Sequence, residues 1–199
     1  ALQREDGSLI NKYPGMWDLC RKVPFARMME RMRQLYPDDF AFVPRTWVLP
    51  GDVIPTTEGR RKLIVKPDGG SQGDGIVLTT DPCKSSSWDA AKERVVQAYV
   101  SRPLLIDGLK FDLRLYVLIA SVCPLRAYIC SEGLVRICAE QYVPPNPSNL
   151  RSVFAHLTNY SLNKHHRDFV HVGEEELTAI QRRASFDDRL ENANGGGGG

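Results

Sequence analysis

The chain has 199 residues, 42% of them hydrophobic and 25% charged, which is ordinary for a globular protein that buries a core. A formal net charge of only +2 argues against sequence-independent binding of nucleic acid through many phosphate contacts. The five cysteines are odd in number and form no C-x-x-C pair, which argues against a disulfide framework and a zinc ribbon.

The sequence shows no signal peptide and no apolar run of membrane-spanning length, so we expect a soluble intracellular chain without a membrane partner. Because it starts at Ala1 and ends in five glycines, we also expect it to be part of a longer protein.

The first predicted element is an amphipathic helix from Pro24 to Tyr36. Its apolar residues recur at helical spacing, and Pro24 suits the first turn of a helix. The apolar set is Phe25, Met28, Met29, Met32 and Leu35. Arg27, Arg31 and Arg33 lie on the other side, where a solvated face is favoured over an anion-binding surface.

Short apolar runs after this helix predict β-strands in an α+β arrangement with antiparallel sheet. The predicted strands are residues 42–49, 63–65, 76–78, 95–100, 113–119, 127–130 and 134–139. Glu132-Gly133 is interpreted as a tight turn between the last two, and Pro144 to Asn149 as a loop. Ser86 to Arg94 is a shorter helix candidate. In residues 172–199 we expect a short helix, Glu174 to Arg183, and a glycine-rich linker or disordered tail.

A glycine-rich stretch, KPDGGSQGDG, occupies residues 66–75. Glycines 69, 70, 73 and 75 let the backbone approach an anion, and Lys66 adds a charge that can reach phosphate oxygens. No Gly-Lys-Ser/Thr follows, which excludes a Walker A loop, and the next residues are strand-like, which argues against a dinucleotide fingerprint. The pattern favours a strand–loop–strand hairpin that folds over a bound nucleotide. A plain glycine-rich turn is the alternative.

Two further clusters carry polar groups. Strand alternation puts Lys110, Asp112 and Arg114 on one face, where a surface salt-bridge ladder is the alternative to a site for a phosphoryl group or carboxylate. His156-Leu157-Thr158-Asn159-Tyr160, with Lys164 four residues on, could orient an amino-acid substrate. His156 alone is more typical of a hydrogen-bonded structural histidine, and the other histidines lack the companions of a metal site.

Several uncommon strings occur together in one order. They are PRTW (44–47), VKPDGGSQGDGI (65–76), QAYV (97–100), RPLLIDGLKFDLRLYVLI (102–119), PLR (124–126), EGL-x-R (132–136) and HLTNYSLNKH (156–165). The sequence thereby resembles the tubulin tyrosine ligase-like family, and the leading NKYPGM and basic first helix resemble its polyglutamylase branch. The resemblance implies that residues 1–171 are an incomplete ATP-grasp-type domain containing its N-terminal and central parts.

The resemblance also implies roles for individual residues. Arg114 would be catalytic and would stabilise an acyl phosphate, while Arg136, Thr158, Asn159 and Lys164 would hold the incoming amino acid. The implied ATP-binding residues are Lys66, Gly69, Gly70, Ser71, Gln72, Gly73, Gly75, Gln97, Tyr99, Val100, Lys110 and Asp112. The expected reaction joins free glutamate to a glutamate side chain of tubulin, with ATP and magnesium as cofactors.

One departure from the family pattern concerns the metal. Relatives carry a later strand with an aspartate and a Glu-x-Asn motif for magnesium, and no such segment follows His171, so the metal ligands are expected outside this chain and the chain alone is expected to be inactive. The expected locations are the cytoplasm and the cytoskeleton, extending to the ciliary axoneme or basal body. Two alternatives stay open: a non-catalytic microtubule or axonemal protein that keeps the ligase fold, and an ATP-grasp ligase for a small peptide or metabolite.

Overall fold

The computed structural model describes residues 2–3, 9–10, 13–55, 61–82 and 91–169. The helices are α1 (Met16–Cys20), α2 (Lys22–Leu35), α3 (Val153–His156) and α4 (Tyr160–Asn163). The strands are β1 (Leu2–Gln3), β2 (Leu9–Ile10), β3 (Thr46–Leu49), β4 (Leu63–Pro67), β5 (Val77–Thr79), β6 (Arg94–Ala98), β7 (Leu105–Ile106), β8 (Leu109–Val122) and β9 (Leu125–Gln141). The chain divides into compact units of Ala1–His166 and Arg167–Gly199, and the contacts below lie within the first.

The strands form antiparallel sheets. β1 pairs with β2, four strands follow the order β3-β6-β4-β5, and three follow the order β7-β8-β9. The expected mixture of helices with antiparallel sheet is therefore confirmed. Among the described residues, no helix combines the length and hydropathy needed to cross a bilayer.

The four-stranded sheet is packed on both faces. On one face, α2 contributes Val23 and Ala26 to a buried cluster with Val48 and Val95. On the other, a second cluster is formed by Leu63, Val65 and Val96 with the half-buried Trp47, Leu49 and Ile54. Since burying one such aliphatic side chain stabilises a fold by about 1.5–3 kcal/mol, these clusters fix β4 and β6, the strands that carry Lys66 and Gln97.

The helix predicted from Pro24 is confirmed as α2, although it begins two residues earlier, at Lys22. The strand predicted over 42–49 is shorter, because residues 37–42 form turns and only Thr46–Leu49 is extended. Helices α3 and α4 were not predicted, since four residues are too few to show a helical period. The predicted loop from Pro144 to Asn149 is confirmed.

The tight turn predicted at Glu132-Gly133 is wrong. Both residues lie inside β9, and the chain reverses at Cys123-Pro124 instead. Gly133 pairs with Leu115, and a Cβ built on this glycine would lie 2.8 Å from the carbonyl oxygen of Arg114. The glycine therefore serves the close approach of two strands and does not form a turn.

Three predictions fall partly or wholly outside the described residues. They are the helix candidate Ser86 to Arg94, of which residues 86–90 are not described, the helix Glu174 to Arg183, and the tail to residue 199. Arg94 itself begins β6.

Candidate functional site

The glycine-rich loop connects β4 and β5, which pair antiparallel with Leu63 opposite Thr79 and Val65 opposite Val77. The predicted strand–loop–strand hairpin is therefore confirmed. Within the loop, Gly73 has φ +90° and Gly75 has φ +68°, backbone conformations that glycine adopts without steric cost. Asp74 N–H donates to the Ser71 carbonyl at 3.0 Å, so the loop is internally bonded as well as strand-anchored.

Lys66 lies on β4 at the base of this loop. Its Nζ donates to Gln97 Oε1 at 2.9 Å, and Gln97 Nε2 donates to Thr46 Oγ1 at 2.8 Å. Burial lowers the pKa of Lys66, and the charge of Lys22 lowers it further. A cation held under these two penalties gains from an anionic ligand, which is the electrostatic requirement of a phosphate site.

A second lysine, Lys110, is held by a buried aromatic cluster. Its Nζ donates to Tyr99 OH at 3.0 Å and to the His156 carbonyl at 2.8 Å, and it lies 4.5 Å from the centroid of the Tyr99 ring. Tyr99 OH and His156 Nδ1 are 3.2 Å apart, and Tyr142 packs edge-on against the His156 ring. Burial lowers the pKa of Lys110, while Asp112 raises it in part and Lys66 lowers it. Lys110 is therefore a second partly buried cation, and its pKa responds to the charge of Lys66.

Asp112 joins β8 to two other segments. It accepts hydrogen bonds from Arg136 Nε and Nη2, each at 2.7 Å, and from Thr158 Oγ1 at 2.6 Å. Burial alone would raise the pKa of this carboxyl, but the bonds from Arg136 and Thr158 outweigh it and lower the pKa. Strand alternation predicted that Asp112 shares a face with Lys110 and Arg114. The structure adds that the hydrogen-bond partners of Asp112 lie on β9 and in the segment after α3.

The segment after α3 reaches back to the glycine-rich loop. Ser161 Oγ donates to the Gln72 carbonyl at 2.6 Å, and a Cβ built on Gly73 would lie 3.0 Å from Asn159 Cγ. Asn163 fixes this segment to β9, since its Oδ1 accepts from Ala139 N–H at 2.8 Å. The structure thus brings the predicted phosphate loop and the predicted amino-acid segment into direct contact.

Other predicted site residues have exposed side chains or lie in exposed parts of the loop. Arg114 is exposed on β8, two residues beyond Asp112, with its guanidinium 5.9 Å from the centroid of Tyr116. Lys164 is exposed and lies 5.8 Å from the centroid of Tyr160, and Val100 is exposed after β6. Gly69, Gly70 and Ser71 are exposed at the tip of the loop.

Three contacts around the candidate site were missed by sequence reasoning. Thr46 completes the Lys66–Gln97 chain, Ser161 binds the loop, and Asp68 connects the loop to α2. Asp68 belongs to the KPDGGSQGDG stretch and Ser161 to the HLTNYSLNKH string. Their hydrogen-bond partners lie 45 and 89 positions away, and no sequence pattern indicates which residues these are.

A metal site was expected outside this chain. In the described ranges, no group of three or more His, Cys, Asp or Glu side chains is arranged to hold a metal ion. Since Mg²⁺ at a nucleotide site is usually held by one or two carboxylates together with the phosphates, the described residues identify no complete site for it.

The sequence of the chain is similar to that of known proteins of one family. The model of the tubulin-tyrosine ligase family matches residues 1–193. Mouse (Mus musculus) tubulin polyglutamylase TTLL11 is 49% identical over 175 residues, 81% of this chain and 24% of that protein. Zebrafish (Danio rerio) tubulin polyglutamylase ttll6 is 42% identical over 188 residues, 92% of this chain and 24% of that protein. Human (Homo sapiens) tubulin polyglutamylase TTLL7 is 43% identical over 169 residues, 80% of this chain and 19% of that protein. The chain thus spans about a quarter or less of the length of these relatives.

Proposed function

Because the chain belongs to the tubulin-tyrosine ligase family, we propose that the full-length protein is an ATP-dependent ligase that adds glutamate to glutamate side chains of tubulin. The relatives named above are tubulin polyglutamylases, which supports both the substrate and the amino acid added. The cytoplasm and the cytoskeleton, extending to the ciliary axoneme or basal body, are the proposed locations.

The observation that carries this proposal is the contact between Gln72 in the glycine-rich loop and Ser161 in the HLTNYS segment. A ligase must hold the phosphoryl donor beside the amine acceptor, because the activated acid between them is short-lived in water. A loop that only closed a hairpin would not need a packed connection to a segment rich in hydroxyl, amide and ammonium groups.

The proposed reaction has two steps. A carboxylate oxygen of a tubulin glutamate attacks the γ-phosphorus of ATP and displaces ADP, which forms an acyl phosphate. The amino group of free glutamate then attacks the acyl carbon, expels inorganic phosphate and loses a proton, leaving an amide bond. Both steps concentrate negative charge on oxygen, so fixed cations stabilise their transition states.

The residues divide between these steps. Lys66 and the glycine-rich loop from Gly69 to Gly75 bind phosphate oxygens, and Lys110 adds a second partly desolvated cation. Arg114, on the same face of β8 as Asp112, stabilises the acyl phosphate. In this proposal, Gln97, Tyr99 and Val100 border the adenine side.

The resemblance places Asp112 among the ATP-binding residues, but we assign it to the amino-acid side of the site because it holds Arg136 and Thr158. Arg136 donates hydrogen bonds to this carboxylate through Nε and Nη2. In this proposal its third nitrogen, Nη1, binds the substrate carboxylate. Thr158, Asn159 and Lys164 complete the proposed amino-acid site.

An ATP-grasp-type domain is the proposed fold. The four-stranded and three-stranded antiparallel sheets would be its two nucleotide-facing layers. Exposed apolar side chains along the long hairpin, such as Leu125 at 71% and Ile129 at 72% exposure, suit a sheet that further chain would cover. Magnesium, which the family resemblance implies, would be bound by residues outside the described part.

The direct test is incorporation of labelled glutamate into microtubules by the full-length protein. Incorporation that requires ATP and exceeds that of labelled glycine or tyrosine supports the proposal. Microtubule pelleting without incorporation would instead indicate a non-catalytic microtubule protein. Failure to pellet, together with ATP use on a small acid, would indicate a metabolite ligase.

A further inference from the structure

Helix α2 begins without the features that usually stabilise a helix start. Its N-cap residue is Arg21, whose side chain makes no capping hydrogen bond, and its first turn contains no acidic residue. The first residues are instead Arg21 and Lys22, two cations at the end of a helix where the backbone dipole favours negative charge. The missing acceptor has to come from elsewhere in the fold.

Asp68, the third residue of the glycine-rich motif, supplies that acceptor. Its Oδ1 accepts the Val23 N–H at 2.9 Å, the position that an N-cap side chain normally serves, and its Oδ2 is paired with Arg21. The Asp68 side chain is only 9% exposed, whereas that of Arg21 is 47% exposed. Burial alone would raise the pKa of Asp68, but the bonds from Val23 and Arg21 outweigh it and lower the pKa.

Lys22 extends the same contact further into the loop. Its Nζ donates to the Gly70 carbonyl at 2.8 Å and approaches the Asp68 carbonyl at 3.5 Å. Its charge also contributes to the lowered pKa of Lys66. The start of α2 therefore touches the loop at two successive points just after Lys66.

We propose that Asp68 is a positioning residue that fixes the phosphate-binding loop to the N-terminus of α2, so that the loop keeps its nucleotide-binding shape before ATP arrives. The consequence for nucleotide affinity rests on the proposed function, whereas the effect on the loop itself does not. α2 is in turn held by the cluster of Val23 and Ala26 with Val48 and Val95, so the anchor is rigid. A preorganised loop loses less conformational freedom on binding, which raises affinity.

The experiment compares four substitutions of the full-length protein. Asp68→Ala removes the capping acceptor. Asp68→Asn keeps an acceptor for Val23 N–H but loses the charge pair with the half-exposed Arg21. Asp68→Glu keeps the charge and displaces the carboxylate by one methylene. Glu93→Gln is the matched control, because it breaks the exposed Arg27–Glu93 pair between the same helix and the residue preceding β6.

Two kinds of readout are used: amide hydrogen exchange of residues 69–75 without nucleotide, and the interaction with ATP, measured as the Kd, the KM and kcat. We expect Asp68→Ala to speed exchange of these amides and to raise the Kd and the KM for ATP about tenfold, with kcat at saturating ATP within twofold of wild type. Asp68→Asn should stay within threefold of wild type, because asparagine caps helices as well as aspartate. Glu93→Gln should match wild type in both readouts.

The outcomes separate the anchor from the function. Unchanged exchange and unchanged Kd in Asp68→Ala, or equal effects from Glu93→Gln, would overturn the proposed anchor. If Asp68→Ala does not fold, Asp68→Glu takes its place, and a Kd no higher than that of Asp68→Asn would contradict the capping role. A wild-type protein that binds no ATP while Asp68→Ala still speeds exchange would refute the proposed function and retain the anchor.

Discussion

The hydroxyl of Ser161 donates a 2.6 Å hydrogen bond to the carbonyl oxygen of Gln72, 89 positions earlier in the chain. Gln72 has φ +62°, an uncommon conformation for a residue with a side chain, and the bond from α4 helps to hold it there. The glycine-rich loop and α4 are therefore in direct contact. A substitution in either one should alter the conformation of the other.

Gly73 leaves no room for a side chain at this contact. A Cβ built on it would lie 2.9 Å from Leu162 Cδ1, and its φ of +90° disfavours any side chain. We predict that Gly73→Ala weakens ATP binding about tenfold, because strain of about 1–3 kcal/mol has to be relieved by moving the loop or α4. Titration of the purified protein with ATP measures the change in Kd.

Gly69 provides the matched control for that substitution. A Cβ built on Gly69 meets no atom within 4 Å, and its backbone is outside the left-handed region. Because the proposed phosphate contact of Gly69 is made by its backbone N–H, which alanine keeps, Gly69→Ala should weaken ATP binding less than Gly73→Ala does. Equal effects at both glycines would show that the close packing at Gly73 is not what matters.

The hairpin from Lys66 to Ile76 could be predicted because its signals are local. Glycines, a lysine before proline and flanking apolar runs all lie within one short window. The partners of Asp68 and Ser161 could not be predicted in this way, because they depend on how α2 and α4 pack onto the sheet. Gly133 shows the same limit, since a glycine between two apolar runs indicates a turn until the strand opposite it is known.

Asp112 provides the second prediction. Its carboxylate holds Arg136 through two bonds and Thr158 through a third, so Asp112→Ala should release both groups of the proposed amino-acid site. We expect the KM for glutamate to rise at least tenfold, by more than the KM for ATP, because charge-assisted bonds of this kind contribute about 1.5–3 kcal/mol each. Steady-state rates with each substrate varied in turn measure the two constants.

Asp107→Ala is the control for that variant, since Asp107 lies in the exposed turn between β7 and β8. Its effect on the KM for glutamate should be less than twofold. A larger rise in the KM for ATP than for glutamate in Asp112→Ala would place Asp112 on the nucleotide side of the site instead.

His156 should make the stability of the protein depend on pH. Burial lowers its pKa from the usual 6.5, Lys110 lowers it further, and the Asn149 backbone and Glu140 oppose this in part. Because the unfolded chain takes up the proton more readily, this contribution is fully present above about pH 6.5 and is lost as the pH falls towards the folded pKa. For a single group the slope cannot exceed about 1.4 kcal/mol per pH unit.

Denaturant unfolding at pH 7.5 and pH 5.5 measures this effect. His156→Gln, which keeps a polar group beside Tyr99 OH, should reduce the pH dependence, whereas His165→Gln at an exposed position should preserve it. An unaltered pH dependence in His156→Gln would assign the effect to other groups.

Lys66 tests the central claim most directly, because its Nζ lies at the base of the loop and is held ready by Gln97 at 2.9 Å. The measurement is ATP-dependent incorporation of labelled glutamate into microtubules by the full-length protein, compared among wild type, Lys66→Ala and Lys62→Ala. Lys62 immediately precedes β4. We predict that Lys66→Ala lowers the rate at least tenfold, about 1.4 kcal/mol of transition-state stabilisation, while Lys62→Ala stays within twofold. Equal rates for wild type and Lys66→Ala at both limiting and saturating ATP would contradict the assignment of this loop as the phosphate site.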